Sequence, residues 1–144
     1  MTDPKLPVVI LVRPQMGENI GAVARAMSNF GLMSLRLVAP RDGWPNAKAI
    51  EMAAGAEAQI ENAQIFSDLA AASADLQWLY ATTARSRQME KQVLAPSAAM
   101  QQMHGQLAKG GRVGLVFGPE RSGLDNEDIN RCDTFITIPT APQN

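Results

Sequence analysis

The sequence predicts an α/β domain, a mostly parallel sheet with helices on both faces. Two aliphatic runs carry the sheet: Leu6 to Val12 reads Leu-Pro-Val-Val-Ile-Leu-Val, and Val113 to Phe117 reads Val-Gly-Leu-Val-Phe. Near-continuous apolar runs, rather than alternating ones, fit strands buried on both faces, which is the usual state of parallel sheets. The helices rest on a different spacing. Ile20, Val23, Ala24, Met27 and Phe30 recur at the helical period and form a buried stripe. Strands alternating with helices give β-α-β units, right-handed by default.

Taken in order, the first strand has Pro7 near its start, where a missing N–H is tolerated. Arg13 to Glu18 is a loop at its carboxyl end. Asn19 opens the helix as N-cap and Gly31 closes it. Leu35 to Val38 is the second strand, stopped by Ala39-Pro40. Asn46 to Ala54 reads as a helix ending at Gly55, Gln64 to Phe66 as a short strand, and Asp68 to Ala74 as an alanine-rich helix. Leu76 to Ala81 is a strand that runs into the polar, basic loop Thr82-Thr83-Ala84-Arg85-Ser86-Arg87. Gln88 to Pro96 reads as irregular, and Ser97 caps a helix that ends near Leu107. After Val113 to Phe117, Gly118-Pro119 stops the strand, because proline cannot continue a ladder. Asp125 caps a short helix to Arg131, and Phe135 to Ile138 is the last strand.

Composition bounds the function. The chain has 144 residues, 46% hydrophobic and 19% charged, which suits one domain with one core. No apolar run approaches the ~20 residues that span a bilayer, and Met1 to Lys5 lacks the start of a signal peptide. One cysteine, Cys132, allows no internal disulfide and fits a cytoplasmic location. One histidine, His104, leaves no Cys/His set for a metal, so none is expected. A net charge of −1 gives no global support to a nucleic-acid partner; such a site must be a local basic patch.

Three loops fall at the carboxyl ends of strands: 13–19, 82–87 and 118–123. Open α/β sheets bind ligands on that edge. The first loop leads into a helix bearing Arg25, and the third carries Glu120 and Arg121 directly after Gly118-Pro119. Taken singly, these are equally readable as a surface arginine and a polar turn. Known nucleotide fingerprints fail: Gly17 and Gly21 are wrongly spaced for a dinucleotide fold, and no Gly-x-x-x-x-Gly-Lys-Ser/Thr is present; the absence of a Gly-x-Ser-x-Gly elbow speaks against a serine hydrolase.

In combination the loops resemble a known family. Asn19-Ile20-Gly21-Ala22-Val23-Ala24-Arg25 resembles the first motif, Asn-x-Gly-x-x-x-Arg, of the SpoU group of SPOUT RNA 2′-O-methyltransferases. Phe117-Gly118-Pro119-Glu120-Arg121-Ser122-Gly123 resembles their second motif, and Ala81 to Arg87 looks like the adenosine-side loop of the TrmJ-like tRNA subgroup. The resemblance covers nearly the whole chain. It implies a SPOUT sheet whose C-terminal part is knotted, S-adenosylmethionine bound in the knot, and a homodimer whose site draws on both subunits. It also implies methyl transfer to a ribose 2′-hydroxyl, in a tRNA anticodon loop for the TrmJ-like subgroup, with rRNA as the alternative substrate. The family's third motif, with its Ser-Leu-Asn and following helix, belongs just after residues 138–144. The expectation is therefore a single SPOUT domain over residues 1–144 that lacks that motif, with less than full activity as it stands.

Carried over residue by residue, the resemblance makes Arg25, Asn19 and Glu120 catalytic, and places Thr82, Thr83, Ala84, Gly118 and Ile138 around the cofactor. Guanidinium has no acceptor and is a poor base. Two readings of Arg25 follow. Either desolvation forces it neutral, or it clamps the neighbouring phosphate while that phosphate or a water takes the proton; bidentate geometry favours the second. Arg13, Arg85, Arg87, Lys91 and Arg121 are the candidate RNA contacts, if they share a face; otherwise they are a solvated surface. A non-catalytic RNA- or nucleotide-binding module is the competing reading.

Overall fold

The protein is described by a computed structural model at residues 6–83 and 91–137. In chain order the elements are β1 Val8–Val12, α1 Gly17–Asn29, β2 Leu35–Val38, α2 Ala47–Met52, α3 Glu57–Glu61, β3 Gln64–Phe66, α4 Leu69–Ala72, β4 Trp78–Thr83, β5 Gln92–Leu94, α5 Pro96–Ala108, β6 Val113–Phe117, α6 Asn126–Arg131 and β7 Thr134–Thr137. Among the described residues the seven strands form one sheet, ordered β3-β2-β1-β6-β4-β7-β5 and parallel throughout. The order reverses at β1, which has β2 on one side and β6 on the other. The loops leaving β1 and β6 therefore flank a topological switch point, the usual ligand crevice of an open sheet.

The two faces follow from the period of two along each strand. Val8, Ile10 and Val12 join Val116, Ala81 and Phe135 on one face, covered by Leu69 and Ala72 of α4 and by Cys132 just past α6. Val9, Leu11, Leu35 and Leu37 lie on the other, beneath Ile20, Ala24 and Met27 of α1 and the small residues Ala49, Ala53 and Ala56. Farther along that second face, α5 sets Ala99, Met103 and Leu107 over Tyr80, Val113 and Ile136. Helices on both faces are thus what the doubly apolar strands demand.

Gly21 explains how α1 sits. A Cβ there would lie 2.6 Å from the Ala49 carbonyl oxygen and 2.6 Å from Met52 Cβ. The glycine of the first motif is thus fixed by helix–helix packing. Asn46 caps α2, its Oδ1 accepting from the Lys48 and Ala49 amides at 2.9 and 3.2 Å. On the opposite face a charge is buried: Arg36 is 5% exposed. Its guanidinium donates to both Asp75 carboxylate oxygens, at 2.6 and 3.0 Å, and to the Ala72 carbonyl at 2.7 Å.

Several elements differ from the sequence expectation. Helix α1 begins at Gly17 with Met16 in the cap position, so Asn19 lies in its first turn. Phe30, expected in the buried stripe, is 78% exposed because the helix ends at Asn29. Thr82 and Thr83 finish β4 rather than opening a loop, since they pair with Ile136 and Thr137. Helix α5 starts at Pro96, one residue before Ser97, with the proline's fixed φ suited to a first turn. Strand β5 occupies part of the stretch read as irregular; its three residues are set by pairing with β7. No helix among the described residues is long and apolar enough to cross a membrane.

Candidate active site

Glu120 joins the first and third loops. Its carboxylate accepts from the Gln15 amide at 2.9 Å, the Met16 amide at 3.2 Å and Asn19 Nδ2 at 2.8 Å. The clasp spans more than a hundred residues of sequence yet closes directly over the β1/β6 switch point. Its local causes are separate on each side. Residues 15 and 16 precede α1, where amides have no helical acceptor and a carboxylate is favoured by the positive helix end. On the β6 side, Gly123 at φ +70° donates to the Pro119 carbonyl at 3.0 Å and folds the turn back on itself. A Cβ on Gly118 would lie 2.6 Å from the Leu124 nitrogen. Only glycine fits there, and the close neighbour is the loop's own backbone.

The clasp also sets the charge of Glu120. Burial pushes its carboxyl up, but hydrogen bonds from Asn19, Gln15, its own amide and Met16 outweigh that and hold it below the ordinary value. Asn19 thus serves as a brace between two loops, a role that local N-cap rules cannot reveal.

Arg25 stands apart from this cluster. It is exposed, and it has no hydrogen-bond or ion-pair partner among the described residues. At ~100° per residue it lies roughly 120° around α1 from Asn19 and about 9 Å farther along the axis. A single chain therefore presents Asn19 and Arg25 on different faces of the helix.

The strand ends expected to meet adenosine are neighbours. β4 pairs with β6 on one side and β7 on the other, so Thr82, Thr83, Gly118 and Thr137 end three adjacent strands. These residues are uncharged. Ala84 and Ile138 lie outside the described residues, as do Arg85 and Arg87.

Two of the basic residues have protein partners. Arg13 Nη1 donates to Asp128 at 3.0 Å, and its Nη2 lies 3.5 Å from Asp125. The Lys91 ammonium donates to the Ile129, Asn130 and Cys132 carbonyls at 2.9, 2.7 and 2.6 Å. Three donors thus meet three carbonyls at the C-terminus of α6, where a cation is favoured. Arg121 is exposed in the turn after Glu120. Of the two carboxylates that meet Arg13, the sequence marks Asp125 only as a helix cap and does not single out Asp128. Arg41, exposed on the loop after β2, pairs with Asp42 at 3.0 Å, and its amide donates to the Pro14 carbonyl at 3.1 Å.

Comparison with known proteins adds to this geometry. The pattern of the SpoU rRNA methylase family matches residues 7–144. The chain is 35% identical over 136 residues to the tRNA (cytidine-2′-O-)-methyltransferase TrmJ of Methanocaldococcus jannaschii, covering 92% of this chain and 57% of that protein. The crystal structure of TrmJ from Z. mobilis ZM4 superposes with a TM-score of 0.89 at 52% identity, covering 95% of this chain and 60% of that one. The SpoU methyltransferase AviRb from Streptomyces viridochromogenes, solved in complex with the cofactor AdoMet, shares the fold at a TM-score of 0.71 and 18% identity, covering 99% of this chain and 51% of that one. The chain spans a little over half the length of the M. jannaschii relative.

Proposed function

The chain belongs to the SpoU rRNA methylase family, and on that premise we propose that it is the S-adenosylmethionine-binding domain of a tRNA ribose 2′-O-methyltransferase. The observation that carries the proposal is the Glu120 clasp, which brings the first and second family motifs together over the switch point. The M. jannaschii relative, which acts on cytidine in tRNA, favours tRNA over rRNA. AviRb, which holds AdoMet on the same fold, supports the cofactor. The strand ends are compatible with such a ligand: Thr82, Thr83, Gly118 and Thr137 stand side by side at the ends of adjacent strands and none carries a charge. Ala84 and Ile138 complete this wall in the proposal, and the C-terminal knot of the family belongs to it as well.

When bound, the cofactor supplies a methyl group on a positively charged sulfur. The protein's own part is to position and to move one proton. Glu120 and Asn19 hold residues 118–123 at a fixed offset from α1. Arg25, on the outward side of α1, reaches a reacting ribose only from a second copy, so the active form is a homodimer. There it grips the phosphate next to the target ribose in bidentate fashion, while that phosphate or a water accepts the 2′-hydroxyl proton. Arg121, with Arg85 and Arg87, supplies the basic contacts that a chain of net charge −1 must gather locally. The cytoplasm is the matching location.

Transfer of a labelled methyl group from S-adenosylmethionine tests the reading, with unfractionated tRNA and rRNA as acceptors and the protein extended to the length of its relatives. Label in tRNA, on a 2′-oxygen after nuclease digestion, is expected. Cofactor binding with no transfer to either RNA would replace the enzyme by a non-catalytic binding module.

A further inference from the structure

We infer that Arg13 is a positioning residue for methyl transfer, forming with Asp128 a second clasp that ties the first motif loop to α6, the helix that follows the second, and that it is not an RNA contact. The inference rests on the methyltransferase reading above. Arg13 is the first residue after β1 and takes φ +46°, a left-handed conformation uncommon for a side chain with a Cβ. Its amide is held by the Val38 carbonyl at 2.7 Å. From that backbone the guanidinium reaches Asp128 at 3.0 Å and Asp125 at 3.5 Å.

The acceptor side is built for this partner. The Asp128 side chain is only 10% exposed. Burial pushes its carboxyl up, and Asp125 and Glu127 push it the same way, while the Arg13 guanidinium opposes them. Asp125 meanwhile caps α6, its Oδ1 accepting from the Asp128 amide at 2.9 Å. Arg13 thereby holds the N-terminus of α6, and through it the downstream end of residues 118–125. Glu120 holds the upstream part of the same segment. One point of attachment leaves a loop free to swing about it; two remove that freedom. An RNA phosphate would have to draw Arg13 away from a carboxylate that would then be left buried without its cation.

Cofactor affinity by calorimetry and RNA affinity across a salt series separate these roles, using the wild type, Arg13→Gln, Asp128→Asn and the double variant. Each single variant is expected to weaken S-adenosylmethionine binding by about tenfold. The double variant should bind no worse than either single, because both remove one interaction. Arg13→Lys should recover part of the loss, and it carries the test if Arg13→Gln does not fold. The salt slope for unfractionated tRNA should stay at the wild-type value. A slope smaller by about 1 with cofactor affinity unchanged would make Arg13 a phosphate contact and overturn the proposal. Unchanged cofactor affinity in folded single variants would also overturn it. Absence of cofactor binding by the wild type would instead remove the methyltransferase reading on which it stands.

Discussion

Replacing Glu120 by alanine removes one acceptor group and three hydrogen bonds, from the Gln15 and Met16 amides and from Asn19 Nδ2. Hydrogen bonds to a charged group are worth ~1.5–3 kcal/mol each when buried. Glu120 is exposed, so water takes over part of the work when the carboxylate leaves, and about 0.5–1 kcal/mol per bond is the better scale. The sum is about 2 kcal/mol, a drop in Tm of roughly 4–8 °C for a domain of this size. Glu120→Gln keeps the shape and one acceptor oxygen but loses the charge, so about half that loss is expected. Urea unfolding at neutral pH gives both numbers. The pH dependence gives an independent check. The folded carboxyl lies below its ordinary value of 4.5. Its contribution is therefore complete above the unfolded value and is lost as pH falls through the folded one. The stability difference between wild type and Glu120→Gln should shrink in acid. Stability of Glu120→Ala within about 0.3 kcal/mol of wild type at neutral pH would mean that the clasp does not hold the loops together.

Three other substitutions probe the frame around the site. Asp75→Ala strips the carboxylate from the buried Arg36, which should cost about 3 kcal/mol in urea unfolding, and adding Arg36→Met should return most of it; a small effect of the single change would mean Arg36 is solvated. Gly21→Ala gains up to ~1 kcal/mol of helix propensity but drives a methyl to 2.6 Å from the Ala49 carbonyl, so a net loss of about 1–2 kcal/mol is expected, and a net gain would contradict the α1–α2 packing. Cys132 is 1% exposed and burial pushes its thiol up to about 12, so the folded protein should not react with a thiol reagent near neutral pH while the urea-unfolded chain reacts at once; rapid labelling of the folded state would contradict its place against α6.

The strands were legible where the signal is local. Leu35–Val38, Gln64–Phe66 and Val113–Phe117 stand where aliphatic runs and turn residues put them. What escaped is decided by partners distant in sequence. Gln92–Leu94 is too short for a period to speak, and it becomes a strand only because Thr134–Ile136 lies beside it. Local rules read Asn19 as an N-cap, and only the family resemblance made it a brace between the loops; its amide is spent on a carboxylate 101 residues away. In the sequence Gly118 looks like a permissive turn and Gly21 has no evident reason to sit inside a helix, whereas Gly118 is required by the turn's own return and Gly21 by atoms of α2. Lys91 and Arg13 read as free cations because charge is visible in a sequence and its counter-charge is not.

Whether Arg25 serves catalysis from the outward side of α1 is the point on which the functional account turns. Methyl transfer to tRNA by Arg25→Ala, measured beside its calorimetric affinity for S-adenosylmethionine, addresses it most directly. Transfer should disappear while affinity stays within a few-fold of wild type. Undiminished transfer, or a parallel collapse of both quantities, would contradict the role given to that guanidinium.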